Sequence, residues 1–106
     1  MEFLEVKMIS VDYKAIGEKL LRVDVDFRRN KIRDVKISGD FFLYPEDAIV
    51  KIERKLKGKR VDDGFKTVKE TIQKIINEEN VQMIGLSVDS IVNALKECYE
   101  IYTKQG

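Results

Sequence analysis

The chain has 106 residues, 43% of them hydrophobic, which suffices for one modest core and leaves little room for a deep two-substrate active site. Its 20 lysines and arginines against 19 acidic residues leave a formal charge of +1, which excludes the broad positive field that nucleic-acid binding draws on. The absence of histidine removes the commonest neutral-pH general base and zinc ligand, and a single cysteine excludes an internal disulfide or a CxxC motif.

The opening MEFLEVK has neither the basic nor the apolar region of a signal peptide. No apolar run approaches the ~20 residues that cross a bilayer. A cytoplasmic, single-domain chain over residues 1–106 is therefore expected. A first strand is expected somewhere within residues 4–14, where the alternation is poor.

LLRVDVDFRR, residues 20–29, alternates cleanly: Leu21, Val23, Val25 and Phe27 share one face, and Arg22, Asp24, Asp26 and Arg28 share the other. KIRDVKISG, residues 31–39, repeats the pattern with Val35 and Ile37 opposite Asp34, Lys36 and Ser38. With polar Arg29-Asn30-Lys31 between them, the two runs read as a β-hairpin with one wet face. Both inward sets are odd-numbered, so the loop should be odd in length. A three-residue loop pairs Val25 with Val35 but sets Asp26 against Asp34. A five-residue loop sets Asp26 against Lys36 and Arg28 against Asp34, which cross-strand charge favours. Both registers stay open.

The next stretch, SGDFFLYPED at residues 38–47, holds two phenylalanines, a tyrosine and the single proline. Parity puts Phe41 on the core side with Val35 and Ile37, and sends Phe42 and Tyr44 outward. The segment fits strand-to-helix packing and a binding edge equally, aromatics being enriched at interface hot spots. Pro45 then suits the first position of a helix, with Glu46 and Asp47 at its positive end. That helix carries Ile49, Ile52 and Leu56 and stops at Gly58. Asp62 or Asp63 caps a second helix bearing Phe65, Val68, Ile72, Ile75 and Ile76. Ser87 caps a third bearing Val88, Ile91, Leu95, Tyr99 and Tyr102. Strands first and helices after predict an α+β fold: a small antiparallel sheet of about three strands, with three helices covering one face.

Catalytic chemistry is hard to assemble from this set. Asp24/Asp26 and Asp62/Asp63 are paired carboxylates on a solvated strand face and at a helix start, where nothing desolvates one partner. Cys98 lies beside the apolar stripe of the third helix and reads as a small packed hydrophobe. The run KIERKLKGKR, residues 51–60, reads as a solvated helix end, with docking of an acidic protein or of nucleic acid as the alternatives.

KAIGEKLLRVDVDF at residues 14–27, IRDVKISGDFFLYPEDAI at 32–49 and IGLSVDSIVNAL at 84–95 together resemble the small accessory subunit of two-component lipoate–protein ligases. The chain is similar in the same way to the C-terminal accessory domain of one-chain bacterial lipoate ligases. The resemblance covers most of residues 13–95, densely through Ala48 and loosely over 61–83. Glu18 departs from it, standing where the family tends to carry a second glycine before Lys19.

The resemblance implies an iron–sulfur-scaffold-like (SufE/NifU-like) fold and a heterodimer with a large catalytic subunit. In that arrangement the large subunit binds ATP, Mg and lipoate and forms lipoyl-adenylate. It then serves a lysine on an acceptor domain, while the small chain supplies no catalytic residue, cofactor site or metal site. The expected partner interface is Gly39, Asp40, Phe42, Tyr44 and Pro45, with Lys14, Gly17 and Lys19 from the turn before the first long strand. Two other classes compete. An iron–sulfur or sulfur-transfer accessory protein needs an exposed, activated cysteine. A small nucleic-acid module would use residues 51–60.

Overall fold

The structure, a computed structural model, describes residues 8–105. The start of the expected first strand, residues 4–7, and the opening read for a signal peptide lie outside the described residues. In chain order the elements are β1 (Ile9–Tyr13), β2 (Leu21–Arg28), β3 (Lys31–Gly39), β4 (Phe42–Tyr44), α1 (Ala48–Leu56), α2 (Lys66–Glu78), β5 (Gln82–Ile84) and α3 (Val88–Lys104). The first three strands form an antiparallel sheet in the order β1-β2-β3, and β4 pairs with β5 in a separate two-stranded ribbon. Helix α3 lies on β1 and β2, α1 lies on β3, and α2 packs against both helices.

Alternation dictates the layering. Leu21, Val23, Val25, Phe27, Val35 and Ile37 are buried under the helices. The opposite face is polar, and Arg22 bridges it, lying 3.1 Å from Asp12 and 3.6 Å from Asp24. Arg22 and Asp12 are about half exposed and Asp24 about a fifth, and such surface pairs contribute at most ~1 kcal/mol each. Among the described residues, no helix is long and apolar enough to cross a membrane.

The hairpin resolves its register by a device that parity alone does not contain. Val25 faces Val35 and Asp26 faces Asp34, as in the three-residue alternative, but Phe27 faces Ile32 and Arg28 faces Lys31. The connection is therefore a two-residue turn, Arg29-Asn30, with φ of 51° and 61°. Both values suit the type I′ turns that match strand twist. Arg33 is the extra residue of a bulge that restores the register. Its guanidinium sits 3.7 Å from the Asp26 carboxylate, and Lys57 sits 3.4 Å from Asp34, which offsets the like-charge pairing. Asp26 is buried rather than solvated, a correction to the reading of that face.

The edge of β3 is covered from two directions. Glu53 on α1 accepts the backbone N–H of Ile37 at 2.7 Å. Past α1, Gly58 adopts φ of 85°, and Gly58, Lys59 and Val61 exchange backbone hydrogen bonds with Ile32 and Asn30. An edge capped this way cannot template pairing with another chain.

The helix stripes hold with shifts at their starts. Pro45 does not open α1: the Tyr44–Pro45 bond is cis, Pro45 accepts the N–H of Ala48 in a turn, and the helix begins at Ala48. Ala48, Ile52 and Leu56 are its buried positions, while Ile49 is only partly covered. Neither Asp62 nor Asp63 occupies the cap position of α2, which is Phe65; Asp63, two residues before it, accepts the first-turn Thr67 N–H at 3.1 Å and its hydroxyl at 2.5 Å. These hydrogen bonds, the hydroxyl's above all, hold the Asp63 carboxyl below the usual range. Asp62 instead pairs with Arg60 at 2.9 Å. Phe65 precedes α2 in the left-handed region yet is buried, stacking edge-on to Tyr99 at 5.7 Å. Ser87 caps α3, accepting the Ser90 N–H at 3.1 Å. Strand β5 is an addition to the expected order, because it interrupts the helices.

Candidate partner-docking surface

The β4–β5 ribbon is short and amphipathic. Its register sets Phe42 against Ile84, Leu43 against Met83 and Tyr44 against Gln82. Leu43 is the inward residue, 5% exposed, whereas Phe42, Tyr44 and Ile84 remain 64%, 52% and 46% exposed. Phe41, expected in the core, is half-buried and lies outside the strand; Leu43 takes that role. Phe42 and Tyr44 point outward as parity requires.

Tertiary contacts bring the β1–β2 turn to the same end. Asp40 donates its N–H to the Leu20 carbonyl at 3.0 Å, and Lys19 donates to the Gly85 carbonyl at 2.9 Å. Two glycines make these approaches possible. A Cβ on Gly39 would lie 2.2 Å from the Leu20 oxygen, and one on Gly85 would lie 2.5 Å from the Lys19 side chain. Gly17, at φ of 80°, occupies the turn itself.

Every expected interface residue, namely Lys14, Gly17, Lys19, Gly39, Asp40, Phe42, Tyr44 and Pro45, is exposed at this end. Three apolar residues that parity and periodicity did not single out join them: Ile16, Leu20 and Ile84, all exposed. Their signal was local: an isoleucine beside Gly17 in a polar turn, and a short apolar run closed by Gly85. Five large exposed apolar side chains at one end approach the scale, about a few hundred Å², at which a patch marks an interaction site.

The rest of the molecule offers less. Cys98 is fully buried, its sulfur 3.7 Å from the Ile9 carbonyl. Burial, reinforced by the charges of Glu97 and Asp24, pushes its thiol up to about 12, far from an activated nucleophile. In the basic run, Lys51 pairs with Glu79 at 2.5 Å, Lys57 with Asp34 and Arg60 with Asp62, so half of its six cations are held in ion pairs. What stands out is an end of the molecule with exposed apolar side chains and exposed Lys14, Lys19 and Asp40, suited to binding rather than to bond-making.

The family model described as the bacterial lipoate protein ligase C-terminus matches residues 6–95. The chain belongs to that family. It is 34% identical over 89 residues to lipoate-protein ligase A subunit 2 of Thermoplasma acidophilum, covering 84% of this chain and 88% of that protein. Among solved structures it is similar to a chain of the archaeal lipoylation system of the same organism, described as a bipartite lipoate protein ligase and its E2 lipoyl domain. The TM-score is 0.71 at 34% identity, over 84% of this chain and 94% of that one. This chain's α+β fold, a three-stranded antiparallel sheet with three helices and the β4–β5 ribbon, thus matches that structure over most of its length. Neither rival class, sulfur transfer or nucleic-acid binding, finds support in these likenesses.

Proposed function

We propose that this chain is the small, non-catalytic subunit of a two-component lipoate–protein ligase. It assembles with a separate large subunit that binds ATP, Mg and lipoate, forms lipoyl-adenylate and serves the lysine of a lipoyl acceptor domain. The observation that carries the reading is the exposed Phe42–Ile84 pair on a chain whose relative is subunit 2 of a bipartite ligase.

In this reading residues 39–45 and 14–19 seat on the large subunit. They favour its adenylation-competent arrangement by binding that arrangement more tightly than others. Lys14 and Lys19 add positive charge near the ligand loops of the partner. The chain acts as one domain over residues 1–106 in the cytoplasm, with a core akin to iron–sulfur scaffold proteins; the sheet under a helical layer supports that kinship.

The test mixes the chain with the large subunit and follows lipoate-dependent adenylation and acceptor lipoylation. Both should require the chain. Adenylation by the large subunit alone, unchanged by adding it, overturns the proposal.

A further inference from the structure

Ile16 is 103% exposed, the largest exposure of any apolar side chain described, and it stands at the tip of the β1–β2 turn. Among the described residues, nothing covers it. The turn below it is nevertheless built to a fixed shape. Glu18 donates its N–H to the Ala15 carbonyl at 3.1 Å, and Gly17 supplies the positive φ that a type II turn needs at its third position.

The two flanks of the turn are anchored to different elements. On one side the Glu18 carboxylate accepts the hydroxyl of Ser90, which is 3% exposed in the first turn of α3. There the Ser90 hydroxyl also lies 2.9 Å from the Ser87 hydroxyl, and the positive end of the helix favours a carboxylate. On the other side the Lys19 N–H is held by Gly85, whose missing side chain allows the approach. The tip is left as the free part, with exposed Lys14 and Lys19 beside it.

We propose that residues 15–18 form a pre-set plug: Ile16 enters an apolar, acid-rimmed socket on the large ligase subunit, and Glu18 is the positioning residue that latches the turn in the shape the socket accepts. This rests on the docking reading above and names the anchor within it. A turn whose ordering is complete before association loses less entropy on binding, so the latch acts on affinity. The two lysines call for acidic groups around the socket.

The experiment measures Kd for the large subunit, the melting temperature of the free chain and hydrogen exchange of the turn amides. Ile16→Asp should raise Kd about 100-fold, from lost apolar burial and a buried charge, while the melting temperature holds. Glu18→Ala should raise Kd about 10-fold and speed exchange at residues 16–19, because the competent shape becomes a minor state. Glu18→Gln, whose amide oxygen still accepts from Ser90, should restore most of the affinity. Ser90→Ala should add nothing to Glu18→Ala.

If Ile16→Asp leaves Kd within twofold while Phe42→Ala weakens it, the plug is wrong and the docking surface stands. If both leave Kd unchanged, the docking reading itself falls. If Ile16→Asp weakens binding but Glu18→Ala changes neither Kd nor exchange, the latch is overturned.

Discussion

Truncating Phe42 to alanine removes the most exposed aromatic side chain of the β4–β5 ribbon and leaves its backbone pairing with Ile84 in place. A phenylalanine carries about 200 Å² of surface, so its 64% exposure amounts to roughly 130 Å². At about 25 cal/mol per Å², complete burial of that area against a partner contributes about 3 kcal/mol. Alanine retains roughly a third of the contact, so the expected loss is about 2 kcal/mol, or about 30-fold in Kd. The free chain should lose much less, because the cross-strand pair with Ile84 contributes only about 0.2–1 kcal/mol.

Leu43→Ala serves as the contrast. Leu43 lies on the inner face of the same strand, and its truncation should cost about 2–5 kcal/mol of folding stability. The assay is calorimetric titration of each variant into the large subunit, alongside a thermal melt of the free chain. Phe42→Ala should move Kd and spare the melt; Leu43→Ala should move the melt first. The reasoning is refuted if Phe42→Ala shifts Kd less than about threefold, or lowers the melting temperature by more than the ~8 °C that 1 kcal/mol represents for a domain of this size.

Gly39→Ala should destabilise the chain by about 3 kcal/mol or more, read as a lowered denaturant midpoint, because its Cβ would meet the Leu20 carbonyl at 2.2 Å. Cys98 should resist a thiol reagent at pH 8 and react fully in denaturant, its thiol being pushed up to about 12 by burial. Its folded pKa lies above the unfolded value, so the stability it contributes is intact below pH 9 and is lost as pH rises towards 12. Unfolding curves between pH 9 and 11 should therefore decline more gently in Cys98→Ala than in the parent chain. Ser87→Ala removes the side-chain cap of α3 and should cost about 1 kcal/mol, or about 4–8 °C in the melt.

The two sheet faces, the three helical stripes and the Ser87 cap were legible because each depends on spacing within one segment. Pro45 misled because its ring suits a helix start and a turn alike, and the turn is what continues into Ala48. Asp26 was taken as solvated because its parity is polar. In the structure Asp26 is 7% exposed, with the guanidinium of the bulged Arg33 3.7 Å away. Strand β5 gave too little pattern over three residues to separate it from a loop.

For the docking surface, the sequence contained the outward aromatics, since alternation alone sends Phe42 and Tyr44 away from Leu43. It could not contain Ile84 or Ile16 as parts of that surface, because hydrogen bonds between distant segments bring the stretches that carry residues 16, 42 and 84 to one end. Those contacts exist only once β4 finds β5, Lys19 finds Gly85 and Glu18 finds Ser90. Local periodicity determines which side of each element is apolar; long-range backbone pairing decides which apolar residues remain together outside the core.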